Sequence, residues 1–270
     1  VYKRQVPMLG CCMAFQDFIP AKGILGSKWI GFENFKYMFS LPDSRRIFVN
    51  TLAIACGKII IGTLVPIIFA LLLNEIRIKW FKRVSQTIVY LPHFLSWIVL
   101  AAVIRNLFAY DGPINQLMES LHMTPVLFLG SNQWFRPLLI GTDVWKEFGY
   151  NSVVYLAALT SIDTGLYEAA SIDGATGVQK FFRITIPLLR RSIGTTYILS
   201  LSGTINLSFT LSNVMTGGGP NGASSVLLQY MYTQGMRNAN FGYAMAIAMF
   251  TLILAIVLAM ISKKVSSEKE

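Results

Sequence analysis

Within the apolar stretch 138–159, Asp143, Lys146, Glu147, Tyr150 and Asn151 fall at i, i+3, i+4, i+7 and i+8, which lines five polar or amphipathic groups along one helical face. Charges placed there cannot face hydrocarbon at low cost. The stripe predicts either a self-neutralising cluster, with Lys146 pairing to Asp143 or Glu147, or the wall of a water-filled path. Asn151 is the group on it best suited to hydrogen-bond an uncharged polar solute. A second stripe, Ser202, Asn206, Thr210 and Asn213, spaced by four, four and three, offers uncharged donors and acceptors that suit hydroxyl groups or helix-to-helix hydrogen bonds. Tyr90, Phe94 and Trp97 recur at helical spacing, and their faces suit stacking on a flat apolar ligand face, core packing or an interfacial position.

Other chemistries leave no trace in the spacing. His93 and His122 have no companion ligands, so no metal site is expected, and no Ser, His and Asp set or carboxylate pair has catalytic spacing. The glycine-rich TGGGPNG from Thr216 lacks a following Gly-Lys and reads as a helix-ending loop rather than a phosphate cradle.

The elements that must carry these residues are set by composition. Of 270 residues 54% are hydrophobic and 13% charged, about half the charged share of a soluble domain. The apolar residues come in blocks long enough to cross a bilayer, at 51–73, 88–108, 138–159, 193–214 and 243–261. An earlier piece, 6–19, is too short to cross and ends in Gln16 and Asp17, so it reads as the outer half of a first helix. The expected fold is therefore an all-α, polytopic membrane bundle of about six helices. The chain opens with valine, which predicts an amino-terminal truncation, and VYKRQ need not belong to the natural protein. Cys11, Cys12 and Cys56 lie in apolar segments and read as small buried residues rather than a disulfide framework.

The net charge of +10 has a topological explanation, so nucleic acid is not an expected partner. With the carboxyl terminus in the cytosol, thirteen of the 23 basic residues fall on inner segments and eight on the opposite, longer ones. That bias in short loops orients the protein. Lys58 and Lys146 remain inside helices.

Under this orientation the decapeptide EAASIDGATG, from Glu168 to Gly177, lies on a cytosolic loop. Asp163 or Thr164 can cap a short helix there, Glu168 sits in its first turns, and Gly174 can take the left-handed conformation that ends it. A second short helix follows through Phe182, before Pro187 resets the chain. The product is a helical hairpin with Leu166, Ala169, Ala170 and Phe181 available for docking.

Glu168, Ala169 and Ala170, then Gly174 after three residues, Ile184 after nine more, and Ile186 with Pro187 resemble the E-A-A-x3-G-x9-I-x-L-P signature of binding-protein-dependent ABC importer permeases. Ile186 in place of leucine is the sole departure. FQDF from Phe15, WIGFENF from Trp29, YLP from Tyr90, LYEAASIDGA from Leu166, TGGGP from Thr216, YMY from Tyr230 and FGYAMA from Phe241 extend the resemblance over nearly the whole chain, toward the oligosaccharide and polysaccharide branch. The resemblance implies a pore-forming subunit in a bacterial plasma membrane, working by alternating access with a second, different permease chain, two copies of a cytosolic ATPase and an external solute-binding protein or lipoprotein. ATP and Mg would be bound by the ATPase, since this chain has no G-x4-G-K-[ST] loop. It assigns Glu168, Ala169, Ala170, Gly174, Ile184 and Pro187 to ATPase coupling, with Asp173 between them either a salt-bridge partner or solvated surface charge.

The expected organisation is a partial first helix and external segment at 1–47, a five-helix core at 48–262 with the coupling loop at 161–191, and a cytoplasmic tail at 263–270. The segment from Phe18 to Arg46 is expected to hold an interfacial helix near the docking surface of the external protein. A self-sufficient secondary transporter or a lipid-sugar enzyme is the alternative, against which stands the lack of an internal repeat.

Overall fold

A computed structural model gives the fold and describes residues 8–190, 192–194, 196 and 226–267. Ser202, Asn206, Thr210 and Asn213, nearly all of the expected span at 193–214 and the glycine-rich 216–222 lie outside the described residues. Among the described residues the chain is helical apart from two strands of two residues, β1 (Gln16–Asp17) and β2 (Lys28–Trp29), paired antiparallel.

The first apolar piece does not extend as half of a spanning helix. It winds as a 3₁₀ turn, Gly10–Phe15, and enters β1. Its anchor is polar: the buried Gln16 donates from Nε2 to the Ile24 carbonyl at 2.8 Å, and Asn34 Nδ2 donates to the Ala14 carbonyl at 2.9 Å. Backbone this rich in side-chain partners has no reason to continue a helical ladder. An eight-residue helix α1 (Glu33–Ser40) follows, in the segment expected to hold an interfacial helix.

Five longer helices and the eight-residue α5 carry most of the remaining fold among the described residues. They are α2 (Pro42–Glu75), α3 (Lys79–Tyr90), α4 (Trp97–Leu107), α5 (Pro113–Ser120), α6 (Asn132–Thr160) and, after the loop helices described below, the carboxyl-terminal Phe241–Ser267. α2 begins six residues before the expected core boundary at 48. Its 34 residues span about 50 Å at 1.5 Å per residue, and it runs on through Pro66 without a break. Ile60, Leu64, Ile68 and Leu72 recur every fourth residue on its exposed surface. A stripe of that kind is costly in water and costs nothing in lipid. Cys56 is exposed on this helix rather than buried.

The expected single helix over 88–108 is two helices. α3 ends in a 3₁₀ turn, Leu91–Phe94, carrying Pro92, after which Leu95 turns extended at φ −70° and ψ 140°. Proline lacks the N–H that would continue the ladder, and the extended residue stops it. Tyr90, Phe94 and Trp97 therefore do not share a helical face: Tyr90 closes α3, Phe94 closes the 3₁₀ turn and Trp97 opens α4.

The chain packs as two compact units, each with its own core. In one, Met38, Ile47, Leu227, Tyr243 and Ile247 are buried together. Here Thr51 Oγ1 on α2 accepts from the Leu227 amide at 3.0 Å, and Arg136 Nη2 on α6 donates to Asn50 Oδ1 at 2.5 Å. In the other, Ile67, Ala70, Tyr155, Leu159 and Leu189 are buried together, and Phe69 meets Phe148 edge-on at 5.4 Å between α2 and α6.

Gly149 sets how closely α3 can approach α6 in this second unit, because a Cβ there would collide with the Val89 main-chain carbonyl. Gly149→Val is expected to lower stability by about 1–3 kcal/mol, read as a fall in the unfolding temperature of the purified protein in detergent. Gly141→Ala, on the same helix with open space at the added carbon, serves as the matched control and should leave that temperature unchanged or raise it. Equal losses in both variants would remove the close-packing argument.

Candidate functional site

Two constellations carry the chemistry, and both belong to the second unit. The first is the charge cluster on α6. Lys58 stands at the middle of α2 with its side chain 1% exposed, and its Nζ lies 2.7 Å from Asp143 Oδ1. Lys146, at the middle of α6 and 3% exposed, reaches Glu147 Oε1 at 3.4 Å and donates to the main-chain carbonyl of His93. Glu147 Oε2 in turn accepts from His93 Nδ1 at 2.7 Å. Tyr150, half exposed, stacks on the His93 ring at 4.1 Å between centroids and 5° between planes.

The sequence reading placed Lys146 with Asp143 or Glu147. The structure gives Asp143 to Lys58 and shares Lys146 between Glu147 and the His93 carbonyl. His93, set aside in the sequence for want of companions, is the residue around which the cluster closes. Its neighbours come from a different helix, so no local spacing could announce them. The physical need is plain once the break after Phe94 is seen. A helix that stops inside a membrane leaves carbonyls without intrahelical partners, and the Lys146 ammonium satisfies one of them while Glu147 holds the adjoining imidazole. Two ammonium groups face two carboxylates, so the charges of Lys58, Lys146, Asp143 and Glu147 balance. Asn151 is half-buried on the same helix, and Tyr90 half-buried at the end of α3.

The second constellation is the loop after α6. Helix α7 (Thr164–Ile172) is capped by Asp163, whose Oδ1 accepts from the Gly165 amide at 3.0 Å. Glu168 is the fifth residue of α7, within the first turns as expected. At the other end Gly174 has φ +76°. Its amide donates to the Ser171 carbonyl at 3.1 Å and the Ala175 amide to the Ala170 carbonyl at 2.8 Å, the paired bonds of a Schellman motif. Thr176 and Gln179 then form a reciprocal capping box that starts α8 (Gly177–Lys180) two residues later.

The two arms are tied to each other. Lys180 Nζ donates to Ser171 Oγ at 2.6 Å, and the Tyr167 hydroxyl meets Thr185 Oγ1 at 2.9 Å. Beyond α8 the chain widens to a π-helical turn, Phe181–Thr185, and stays helical over 186–190. Pro187 therefore does not reset the chain. The π turn precedes it, where the ladder must accommodate a ring without an N–H. Glu168, Ala169, Asp173, Gly174 and Pro187 are exposed, with Ala170 and Ile184 partly so. The apolar surface of the hairpin is Leu166, Ile172, Val178 and Phe182, exposed by 46%, 87%, 68% and 63%. Phe181, expected to dock, is half-buried, and Phe182 takes that place. Among the described residues no three His, Cys, Asp or Glu side chains gather as metal ligands.

This combination of a broken membrane helix, a buried ionic cluster and a capped, exposed hairpin meets a family match. Residues 41–268 fit the family described as "Binding-protein-dependent transport system inner membrane component". The chain belongs to this family. The permease is 35% identical over 266 residues to the polygalacturonan/rhamnogalacturonan transport system permease protein YteP of Bacillus subtilis (strain 168), an alignment covering 98% of this chain and 83% of that protein. Its fold is similar to a chain in the crystal structure of a bacterial ABC transporter involved in the import of the acidic polysaccharide alginate, with a TM-score of 0.88 and 32% identity over 98% of this chain and 90% of that one. The alginate transporter in complex with its alginate pentasaccharide-bound periplasmic protein gives 0.87 and 31%, over 98% and 88%. The permease is thus a transport subunit of an ABC importer, with the all-helical membrane bundle of that class.

The ionic cluster makes a direct stability prediction. Lys58→Met strands a carboxylate and is expected to cost about 3–5 kcal/mol, seen as early unfolding or aggregation in detergent. Adding Asp143→Leu should recover much of that loss. A double variant no better than the single one would mean that the pair does not act as a pair.

Proposed function

We propose that this permease is the translocating subunit of an ATP-driven, binding-protein-dependent importer of acidic oligosaccharides, paired with a second, different permease chain and driven by two copies of a cytosolic ATPase that bind ATP and Mg. The observation that carries the reading is the exposed hairpin, whose capped and cross-tied arms present Leu166, Ile172, Val178 and Phe182 uncovered among the described residues. An apolar, rigid and protruding surface of this kind suits a docked motor subunit. Support for the saccharide class comes from the roles of the similar proteins, one a polygalacturonan/rhamnogalacturonan permease and the other an importer of alginate.

In this reading an external solute-binding protein or lipoprotein delivers the sugar on one side, and nucleotide-driven closure of the ATPase moves the hairpins on the other. Each partner favours one of two states of the bundle, which is the condition for driving alternating access. The hairpin and the carboxyl-terminal tail then face the cytosol. Tyr90, Tyr150 and Asn151 of the second unit supply aromatic faces and hydrogen-bonding groups for the sugar, and the sequence adds Trp97, Asn206, Thr210 and Asn213 as candidates. Lys146 acts by holding the broken helix, because its charge is already engaged by Glu147 and the His93 carbonyl. A neutral, polar wall lets a polyanion pass without trapping it, since transport needs binding weak enough to release.

Gly174→Pro locks φ near −65° where the hairpin needs +76° and deletes the amide that bonds Ser171; together with Glu168→Lys it is expected to leave an inserted subunit that transports at least about tenfold more slowly. Uptake of galacturonate and alginate oligomers into vesicles holding the whole importer reads this out, with maltotriose as the neutral comparison. Unimpaired uptake in both variants would show that the hairpin does not couple, and uptake of maltotriose alone would overturn the acidic class. For sidedness, Ile172→Cys should react with an impermeant thiol reagent only from the cytosolic side.

A further inference from the structure

The first unit holds a cavity that the translocation reading does not use. It has a volume of about 280 Å³ and lies where α1, the start of α2 and the carboxyl-terminal helix converge. Phe39 and Phe48 both meet Phe250 at its wall, with ring centroids 5.4 and 5.9 Å apart, and Met38 and Leu227 complete the apolar lining. At the rim stand Ser44 and Arg45. Arg45 is exposed and has no carboxylate partner among the described residues, and Ser44 Oγ is shielded from solvent near the Tyr243 hydroxyl.

Chemistry selects the occupant. The volume sits at the small end of ligand cavities, too little for an oligosaccharide, and aromatic and aliphatic walls offer sugar hydroxyls no partners. Water is disfavoured for the same reason. An occupant must instead be apolar for most of its length and carry an anionic, hydrogen-bond-accepting end that reaches Arg45 and Ser44. The position matches: Arg45 and Arg46 directly precede the apolar run of α2 that starts at Ile47, so the rim falls at the boundary between headgroups and hydrocarbon.

We propose that this cavity is a binding site for an anionic phospholipid, with the headgroup-proximal part of one acyl chain held among Phe39, Phe48 and Phe250 and the phosphate on Arg45 and Ser44. The lipid would brace α1 against the start of α2 and the carboxyl-terminal helix, so that the annular lipid becomes part of the core of this unit.

The test uses the importer complex in phosphatidylcholine vesicles carrying a trace of photoactivatable phosphatidylglycerol or, separately, photoactivatable phosphatidylcholine. Adducts are expected within 38–48 and around Phe250, about fivefold stronger for the anionic lipid, the selectivity one basic residue near a headgroup provides. Arg45→Gln should erase the preference and Arg45→Lys retain it; Leu227→Trp, which fills the cavity, should reduce labelling by both lipids. Excess unlabelled phosphatidylglycerol should compete on the unaltered protein, which keeps the question decidable if a variant fails to fold. Equal labelling by the two headgroups, indifference to Arg45→Gln, or protein-to-protein crosslinks at these positions in place of lipid adducts would each overturn the site. None of these readouts depends on transport, so they stand apart from the substrate assignment.

Discussion

A charge at the middle of a membrane-spanning helix has to find its counter-charge inside the protein, and the second unit is arranged around that requirement. Lys58 on α2 and Lys146 on α6 each sit at the midpoint of a long helix, and neither side chain is more than a few per cent exposed. Carrying either ammonium into hydrocarbon alone would cost several kcal/mol. Asp143 at 2.7 Å removes that cost for Lys58 and, in doing so, fixes the register of α2 against α6. Sliding either helix by one turn, about 5.4 Å, would leave two uncompensated charges where one neutral pair now stands. Phe69 against Phe148 and the close approach at Gly149 are packing details that this register permits.

Lys146 extends the same logic to a broken helix. The turn at Leu91–Phe94 ends α3 and frees carbonyls that lipid cannot satisfy. An ammonium from the facing helix meets the His93 carbonyl, and the neighbouring Glu147 holds the His93 imidazole. The stripe on α6 is thus a clamp for irregular backbone, and Tyr150 and Asn151 are its members outside the ion pairs. A cluster of opposite charges that cancels internally gives positional specificity without creating a trap for a charged solute.

How far the sequence discloses this depends on the range of the interaction. The hairpin was legible because its determinants are local: Asp163 caps, Gly174 adopts the left-handed conformation, and Thr176 with Gln179 restarts the helix, all within one stretch of 17 residues. The long helices were legible from hydropathy for the same reason, and α2, α6 and the carboxyl-terminal helix lie where apolar runs predict them. The break at Leu91–Phe94 was hidden because Leu95 to Phe108 is as apolar as an unbroken span, and only tertiary contacts from Lys146 and Glu147 make stopping there affordable. His93 was missed with it. The first apolar piece misled in the opposite sense, since Gln16 and Asn34 divert its backbone into side-chain bonds that no periodicity reveals. Pro187 was given too much weight: a π turn absorbs it and the helix continues.

The connection between hairpin and cluster is short enough to be stiff. α6 ends at Thr160 and α7 begins at Thr164, so only Ser161, Ile162 and Asp163 intervene. Asp163 is committed to capping α7, and Ile162 packs against the core of Ile67, Ala70, Tyr155, Leu159 and Leu189. Little slack remains in such a joint to absorb a displacement. A force on the exposed face of α7 is therefore passed to the end of α6, and along α6 to Lys146, Glu147 and Asp143, which bind α2 and the broken end of α3. Close-packed interiors shift as blocks rather than stretch. The same ionic contacts that make these charges tolerable in the membrane also bind α2, α6 and the end of α3 into one block, which the proposed coupling requires.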